Sequence, residues 1–260
     1  MDLSKTSYTC KNILPVIAGI FLLSLPFGQA NAGSSTKSDT TIRISYCEFH
    51  TTHKFAVESV RAAYKRAGIN AEFTSRPCRR SLIEANAGRF DGEVARISGV
   101  TRKYKHLVAA ESPTINIEGV VITRSEKREI TQWSDLKGLR IGIMRGELYA
   151  ERGTSAFEVT VAADYSQLLK MLVKNRIDVA IGIRKDYELA VNSPDFLNEG
   201  LHIIGKPVFF APLYHLVHKD QQDLLMKLNP VFEHMWNNGE TAKIHENTMK
   251  LLTKSHSPDS

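Results

Sequence analysis

Between residues 53 and 68 the apolar positions Phe55, Ala56, Val60, Ala63 and Tyr64 recur at the spacing of one helix face, and Gly68 supplies the stop. The preceding segment has the other period: in "TIRISY" (41–46) Ile42, Ile44 and Tyr46 alternate with polar residues, which predicts a strand. The two periods keep exchanging. A strand is expected over 69–75, a glycine-closed helix over 79–88 and a strand over 91–97. A strand–helix–strand–helix–strand order favours a parallel sheet with right-handed crossovers.

A second round follows, with strands over 118–124, 139–144, 157–162 and 177–183 and helices over 131–138, 165–175 and 185–191. "LHIIG" (201–205) and "VFFAPLYHLVHK" (208–219) read as extended. The chain closes with a helical stretch from Gln221 to about Leu252, which Pro230 should kink or split and Asn237-Asn238-Gly239 should break. Its apolar face (Leu224, Leu225, Leu228, Phe232, Trp236) is large. Packing that face back on the first unit gives two α/β lobes joined by two crossing strands, with a cleft between them. The expected boundaries are 41–123 plus 207–254 for lobe 1 and 124–206 for lobe 2.

Composition changes this picture mainly at the N-terminus. Lys5 and Lys11 precede an apolar run, Ile13 to Leu25, and then Ala30-Asn31-Ala32. This reads as a cleavable secretory signal peptide over 1–32, with an uncleaved anchor as the rival reading, and implies a periplasmic protein. Residues 33–40 have the composition of a disordered leader and 255–260 that of a flexible tail. No later stretch reaches the roughly 20 apolar residues a membrane span needs. Without the signal peptide, 32 basic and 27 acidic residues remain, a net charge of +5. The basic residues are scattered rather than gathered in a stripe, which speaks against a nucleic-acid partner.

Ligands of open α/β sheets bind beyond the carboxyl ends of the strands. Those ends carry Tyr46, Cys47, Glu48 and Phe49 after the first strand, and Cys78, Arg79 and Arg80 after the second. Arg96 and Arg102 lie in and after the third, and Arg145, Gly146, Glu147 and Arg184 follow strands of the second round. Cys47 and Cys78 end strands that should be neighbours, so a disulfide is expected, with two free thiols as the alternative. Arginine holds carboxylate or phosphate through paired hydrogen bonds, so the arginines suit an anionic group. Arg96 is the sharpest case, because a buried unpaired charge is costly. It faces either a ligand or a carboxylate of its own chain, Glu93 or Asp91. The glycine before "ELYAERG" also suggests a helix N-terminus with N–H groups for an anion. The chain contains no HExxH, GxSxG, P-loop or CxxC sequence, and His50, His53, His215 and His218 are too few and too scattered for a metal set, so neither metal nor cofactor is expected.

Taken in order, "PCRRSLIEANAGRFDGEVAR", "DLKGLRIGIMRGE", "LLKMLVKNRIDVAIG" and "YHLVHKDQQDLLMKLNPVFEHMWNNGETAKI" resemble segments of the periplasmic solute-binding proteins of the amino-acid type, family 3. The resemblance covers about 41 to 252. It implies a type II two-lobe fold with two crossing hinge strands, a small-molecule ligand in the interlobe cleft, a monomer, and an ABC transporter permease or sensor kinase as partner. It also implies binding without covalent chemistry. Arg102, after Thr101, matches the family's carboxylate-binding arginine. The family's second-lobe aspartate for the ligand amine falls about five residues after Asp178, where this chain has Ile183, so a standard α-amino acid is not implied unless Glu48 or Glu147 replaces it. Tyr46 and Phe49 would stack on the ligand. Arg80, Arg96 and Arg102 would hold acidic groups, and Arg145, Gly146, Glu147 and Arg184 would close from lobe 2. The rivals are a periplasmic enzyme on the same scaffold, dehydratase- or lyase-like, and an interaction scaffold with no ligand.

Overall fold

The computed structural model describes residues 41–48, 51–125 and 129–254. The expected signal peptide, leader and tail lie outside the described residues, as do Phe49 and His50. Eight strands form one sheet in the order β2-β1-β3-β8-β4-β7-β5-β6. In the first lobe β1 (Ile42–Cys47) lies parallel to β2 (Ala71–Arg76) and to β3 (Gly92–Arg96). In the second, β5 (Ile141–Met144) lies parallel to β6 (Val159–Ala162) and β7 (Val179–Ile183). The joint is made by β4 (Leu107–Thr123) and β8 (His202–His218), 17 residues each and antiparallel to one another.

Each lobe has its own apolar interior. In α1 (Thr51–Arg66) the residues of the predicted stripe, Phe55, Ala56, Val60, Ala63 and Tyr64, are all buried, and they meet Ile44, Val94, Leu228 and Phe232. In the second lobe Leu168, Leu169 and Leu172 of α4 (Tyr165–Val173) pack with Val120, Ile122 and Ala180, and α5 (Arg184–Val191) adds Tyr187. Asp164 caps α4 by accepting the Gln167 N–H at 2.7 Å. α2 (Cys78–Asn86) and the short α3 (Leu148–Gly153) follow β2 and β5. The fold is therefore two-lobed α/β, with two crossing strands shared by both lobes.

Four local expectations change. The strand expected over 118–124 is the last part of β4; the sheet continues back through Pro113 to Leu107, with irregular pairing to β8 between Ala109 and Ile115. Residues 201–205 and 208–219 supply one strand, β8. The segment 131–138 forms only a 3-10 turn at Trp133–Leu136. Pro230 does not split the final helical stretch: α6 (Asp223–Asn237) runs through it, held by buried Leu225, Leu228, Phe232 and Met235. The break comes at Gly239, whose φ of 78° a side chain would resist, and α7 (Glu240–Lys254) follows. Among the described residues no helix is long and apolar enough to cross a membrane.

Candidate functional site

Where β1 and β3 end, a buried polar cluster forms. The Ser45 hydroxyl donates to Glu93 Oε2 at 2.8 Å, and the Ser81 hydroxyl reaches the same oxygen. Arg96 Nη2 stands 2.8 Å from Glu93 Oε1 and donates to the Cys78 carbonyl at 3.1 Å. Its Nη1 lies 3.3 Å from His53 Nε2, which accepts because a guanidinium has only donors. Residues 93 and 96 of a regular strand would point to opposite faces. Here the pairing with β8 shifts by one residue between them, and this bulge brings both side chains together. Glu93 is fully buried, and burial raises its pKa above the usual glutamate range against the opposing pull of Arg96 and the two serines. The guanidinium of Arg96 thus faces Glu93.

A second cluster forms on the other lobe. Glu147, 3% exposed, precedes α3 and accepts the hydroxyls of Tyr149 at 3.0 Å and Tyr165 at 2.8 Å. The Tyr165 oxygen in turn accepts the Ile183 N–H at 2.6 Å. Burial, then the charge of Glu147, pushes both tyrosine pKa values well above the ordinary range. Glycines make room for both rings. A Cβ at Gly119 would lie 2.5 Å from the Tyr149 ring, and one at Gly182 would lie 2.8 Å from the Tyr165 ring. Tyr149 also stacks on Phe209 of β8, with centroids 4.8 Å apart.

Asp186 joins the clusters. It sits in the first turn of α5, is 5% exposed, and its field contributes to the raised pKa values of Tyr149 and Tyr165. Its Oδ1 accepts from Thr52 of α1, the residue next to His53. A polar seam therefore runs from Glu93 and Arg96 through α1 and Asp186 to Glu147.

The remaining expected site residues are dispersed. Tyr46 is half-buried against the first core, and Glu48 is exposed. Arg80 donates to Glu84 at 2.7 Å and is 67% exposed, while Arg184 donates to Glu118 at 2.6 Å. Arg102 is exposed in the turn Ser98–Arg102, and Arg145 and Gly146 are exposed after β5. The Gly146 N–H donates to Glu151 at 3.0 Å, so a side chain of the protein already serves the N–H group that the sequence offered to an anion. Cys47 and Cys78 form a disulfide between the end of β1 and the start of α2. Thr52, Tyr149, Tyr165 and Asp186 escaped the sequence reading, and His53 entered it only as one of the scattered histidines; the one signal for Asp186 was an acidic residue in the first turn of a predicted helix. A cavity of about 550 Å³ lies elsewhere, among Thr123, Arg124, Asn175, Asp178 and Glu199, where Arg124 is bonded to the Val173 and Glu199 carbonyls and Asp178 to Arg140. Among the described residues no group of three or more His, Cys, Asp or Glu side chains is placed to hold a metal ion.

Two cored lobes joined by two shared strands define a two-lobe architecture of the periplasmic-binding-protein type. The chain belongs to the bacterial extracellular solute-binding proteins, family 3, whose profile matches residues 48–250. Solved structures share the fold. An ancestral arginine-binding protein bound to arginine aligns at TM-score 0.60 and 20% identity, over 80% of this chain and 97% of that one. The GluR0 ligand-binding core in complex with L-glutamate aligns at TM-score 0.67 and 13% identity, over 82% and 99%. The amino acid ABC transporter substrate-binding protein AbpA from Streptococcus pneumoniae, bound to L-arginine, aligns at 0.62 and 15%, over 84% and 98%. A search of curated proteins found no match.

Proposed function

We propose that the protein captures a small polar, amino-acid-like solute in the interlobe cleft, in the periplasm after cleavage behind Ala32, and presents it to an ABC transporter permease or a sensor kinase. The observation that carries this reading is the buried seam of Glu93, Arg96, Asp186 and Glu147 between two apolar cores, in a chain of a solute-binding family. Hydrogen-bonding groups gathered between closing lobes are what fixes a polar ligand. Arg102 and Arg145, exposed on the two sides, supply donors for acidic groups, and Tyr46 and Phe49 a surface to stack on. Arg80, Arg96 and Arg184 each have a carboxylate of the chain beside them, which moves the expected ligand from a simple anion toward a zwitterion. Glu147 takes the place of the family's amine-binding aspartate. Closure turns on β4 and β8 near Thr123-Arg124 and Lys206-Pro207, between lobes of 41–123 plus 207–254 and 124–206.

The test is a thermal-shift screen of residues 33–260 against amino acids, dicarboxylates, short peptides and sugar acids, followed by calorimetry. A ligand that binds only the folded state must raise the melting temperature. The expected result is a zwitterionic hit weakened at least roughly tenfold by Glu147→Gln or Arg102→Ala, as loss of a charged hydrogen bond predicts. A hit that is chemically transformed on incubation would indicate the enzyme; no hit in any class would overturn the binding reading.

A further inference from the structure

One buried polar bond joins the two lobes directly. Asp186 Oδ1, in the first turn of α5, accepts the Thr52 backbone N–H at 2.9 Å and the Thr52 hydroxyl at 3.3 Å. Thr52 is the second residue of the 16-residue α1. Its N–H is therefore one of those with no acceptor inside the helix, and the carboxylate also meets the positive end of the helix dipole. Thr52 is 1% and Asp186 5% exposed, so the bond is shielded from water, where a charge-assisted bond is strong. The two helices belong to different cores: α1 packs with the first lobe and α5 with the second. Beside the bond, Lys185 Nζ of α5 stands 5.0 Å over the Phe55 ring of α1, a second contact between the same helices.

We infer that Asp186 is a latch: its bond to the start of α1 holds the lobes closed by protein groups alone, without a solute to bridge them. The consequences for binding rest on the solute-binding reading above; the latch itself does not. A protein latched shut admits ligand only through its open minority, so association is slow. The closed complex keeps the latch, which adds to its lifetime. Asp186 is thus a positioning residue for closure, and breaking it should move association and affinity in opposite directions.

The experiment measures the distance between spin labels at Lys65→Cys and Lys174→Cys, exposed positions on α1 of the first lobe and just after α4 of the second, in the otherwise intact chain without added solute. With Asp186 in place a single short distance is expected. Asp186→Ala should move most molecules to a longer one, lowering the closed-to-open ratio at least about tenfold, as loss of a charge-assisted bond predicts. Asp186→Asn keeps the side-chain shape and loses only the charge, so it should fall between and provides a folded variant should the alanine fail. Thr52→Val, which keeps the N–H, should shift the ratio least. For any solute found by the screen, Asp186→Asn should bind faster yet more weakly, a split that a general loss of stability does not produce. A wild-type protein already open, or a distance unchanged in both Asp186 variants, overturns the latch. A bound solute with distances indifferent to residue 186 removes the latch and leaves the binding reading standing, and the reverse outcome does the opposite.

Discussion

Arg96→Ala is the substitution whose consequence the structure fixes most closely. It removes the partner of Glu93, a carboxylate with no exposed surface, and leaves only the Ser45 and Ser81 hydroxyls beside it. Breaking a buried pair from one side costs about 3–5 kcal/mol. The side chain of Arg96 is 12% exposed, so some water reaches the vacated space, and the lower end applies, about 3 kcal/mol. For a chain of this size that corresponds to a fall of roughly 6–12 °C in melting temperature. The loss has a pH signature. Glu93 already titrates above its unfolded value because of burial, so its contribution to stability is complete below the ordinary glutamate pKa and declines as pH rises through the folded one. Removing Arg96 takes away the largest influence pulling that pKa down and widens the decline. The deficit of the variant should therefore be small near pH 4.5 and full at pH 8. The assay is thermal or urea unfolding of wild type, Arg96→Ala, Glu93→Gln and the double variant at both pH values. The double variant should be more stable than Arg96→Ala alone at pH 8, since the glutamine keeps the serine bonds and carries no charge. A deficit equal at both pH values, with additive double-mutant energies, would refute the reasoning and return Arg96 to the role of a ligand-facing cation.

Three further outcomes are expected. Replacing Cys47 and Cys78 by serine, or adding reductant, should lower stability by about 3–4 kcal/mol from the loop entropy of a link 31 residues apart in sequence, read as a fall in the unfolding midpoint. Gly119→Ala should cost about 1–3 kcal/mol, since its Cβ meets the Tyr149 ring at 2.5 Å and the Phe209 Cβ at 2.9 Å, and should reduce ligand affinity together with stability. Burial lowers the pKa values of His215 and His245 to about 4. Both histidines must charge when the chain unfolds in acid, so their contribution to stability should rise from pH 4 to about 6.5, opposite in slope to that of Glu93, and His245→Gln should reduce that contribution in a pH series of urea midpoints.

Periodicity made most elements legible, because α1 and α4 each bury one stripe and β5 and β7 are short, continuously apolar runs. It failed over 107–117, where Glu111, Ser112 and Pro113 interrupt the pattern although the backbone continues as β4 beside β8. Pairing along a neighbouring strand, rather than local pattern, carries the chain through that stretch. For the site, the strand ends pointed to Arg96 and Glu147 but said nothing of their surroundings. Arg80 and Arg184 were read as cations seeking a ligand, and Arg96 as facing either a ligand or a carboxylate, Glu93 or Asp91; the fold sets Glu84, Glu118 and Glu93 against them. Thr52 and Asp186 could not be paired by any local rule, being 134 positions apart.

The sequence by itself determined the alternation of strands and helices, the two α/β rounds, the cysteine pair at adjacent strand ends and the family. All of these depend on residue type and spacing along one dimension. The tertiary structure decided which charges meet. Glu93 and Arg96 share a face only because β3 bulges against β8, and Tyr149 and Tyr165 reach Glu147 only because Gly119 and Gly182 leave room for their rings. Electrostatic partners are set by distances of about 3 Å between groups far apart in the chain or turned by a single extra residue, and such distances exist only once the sheet is assembled.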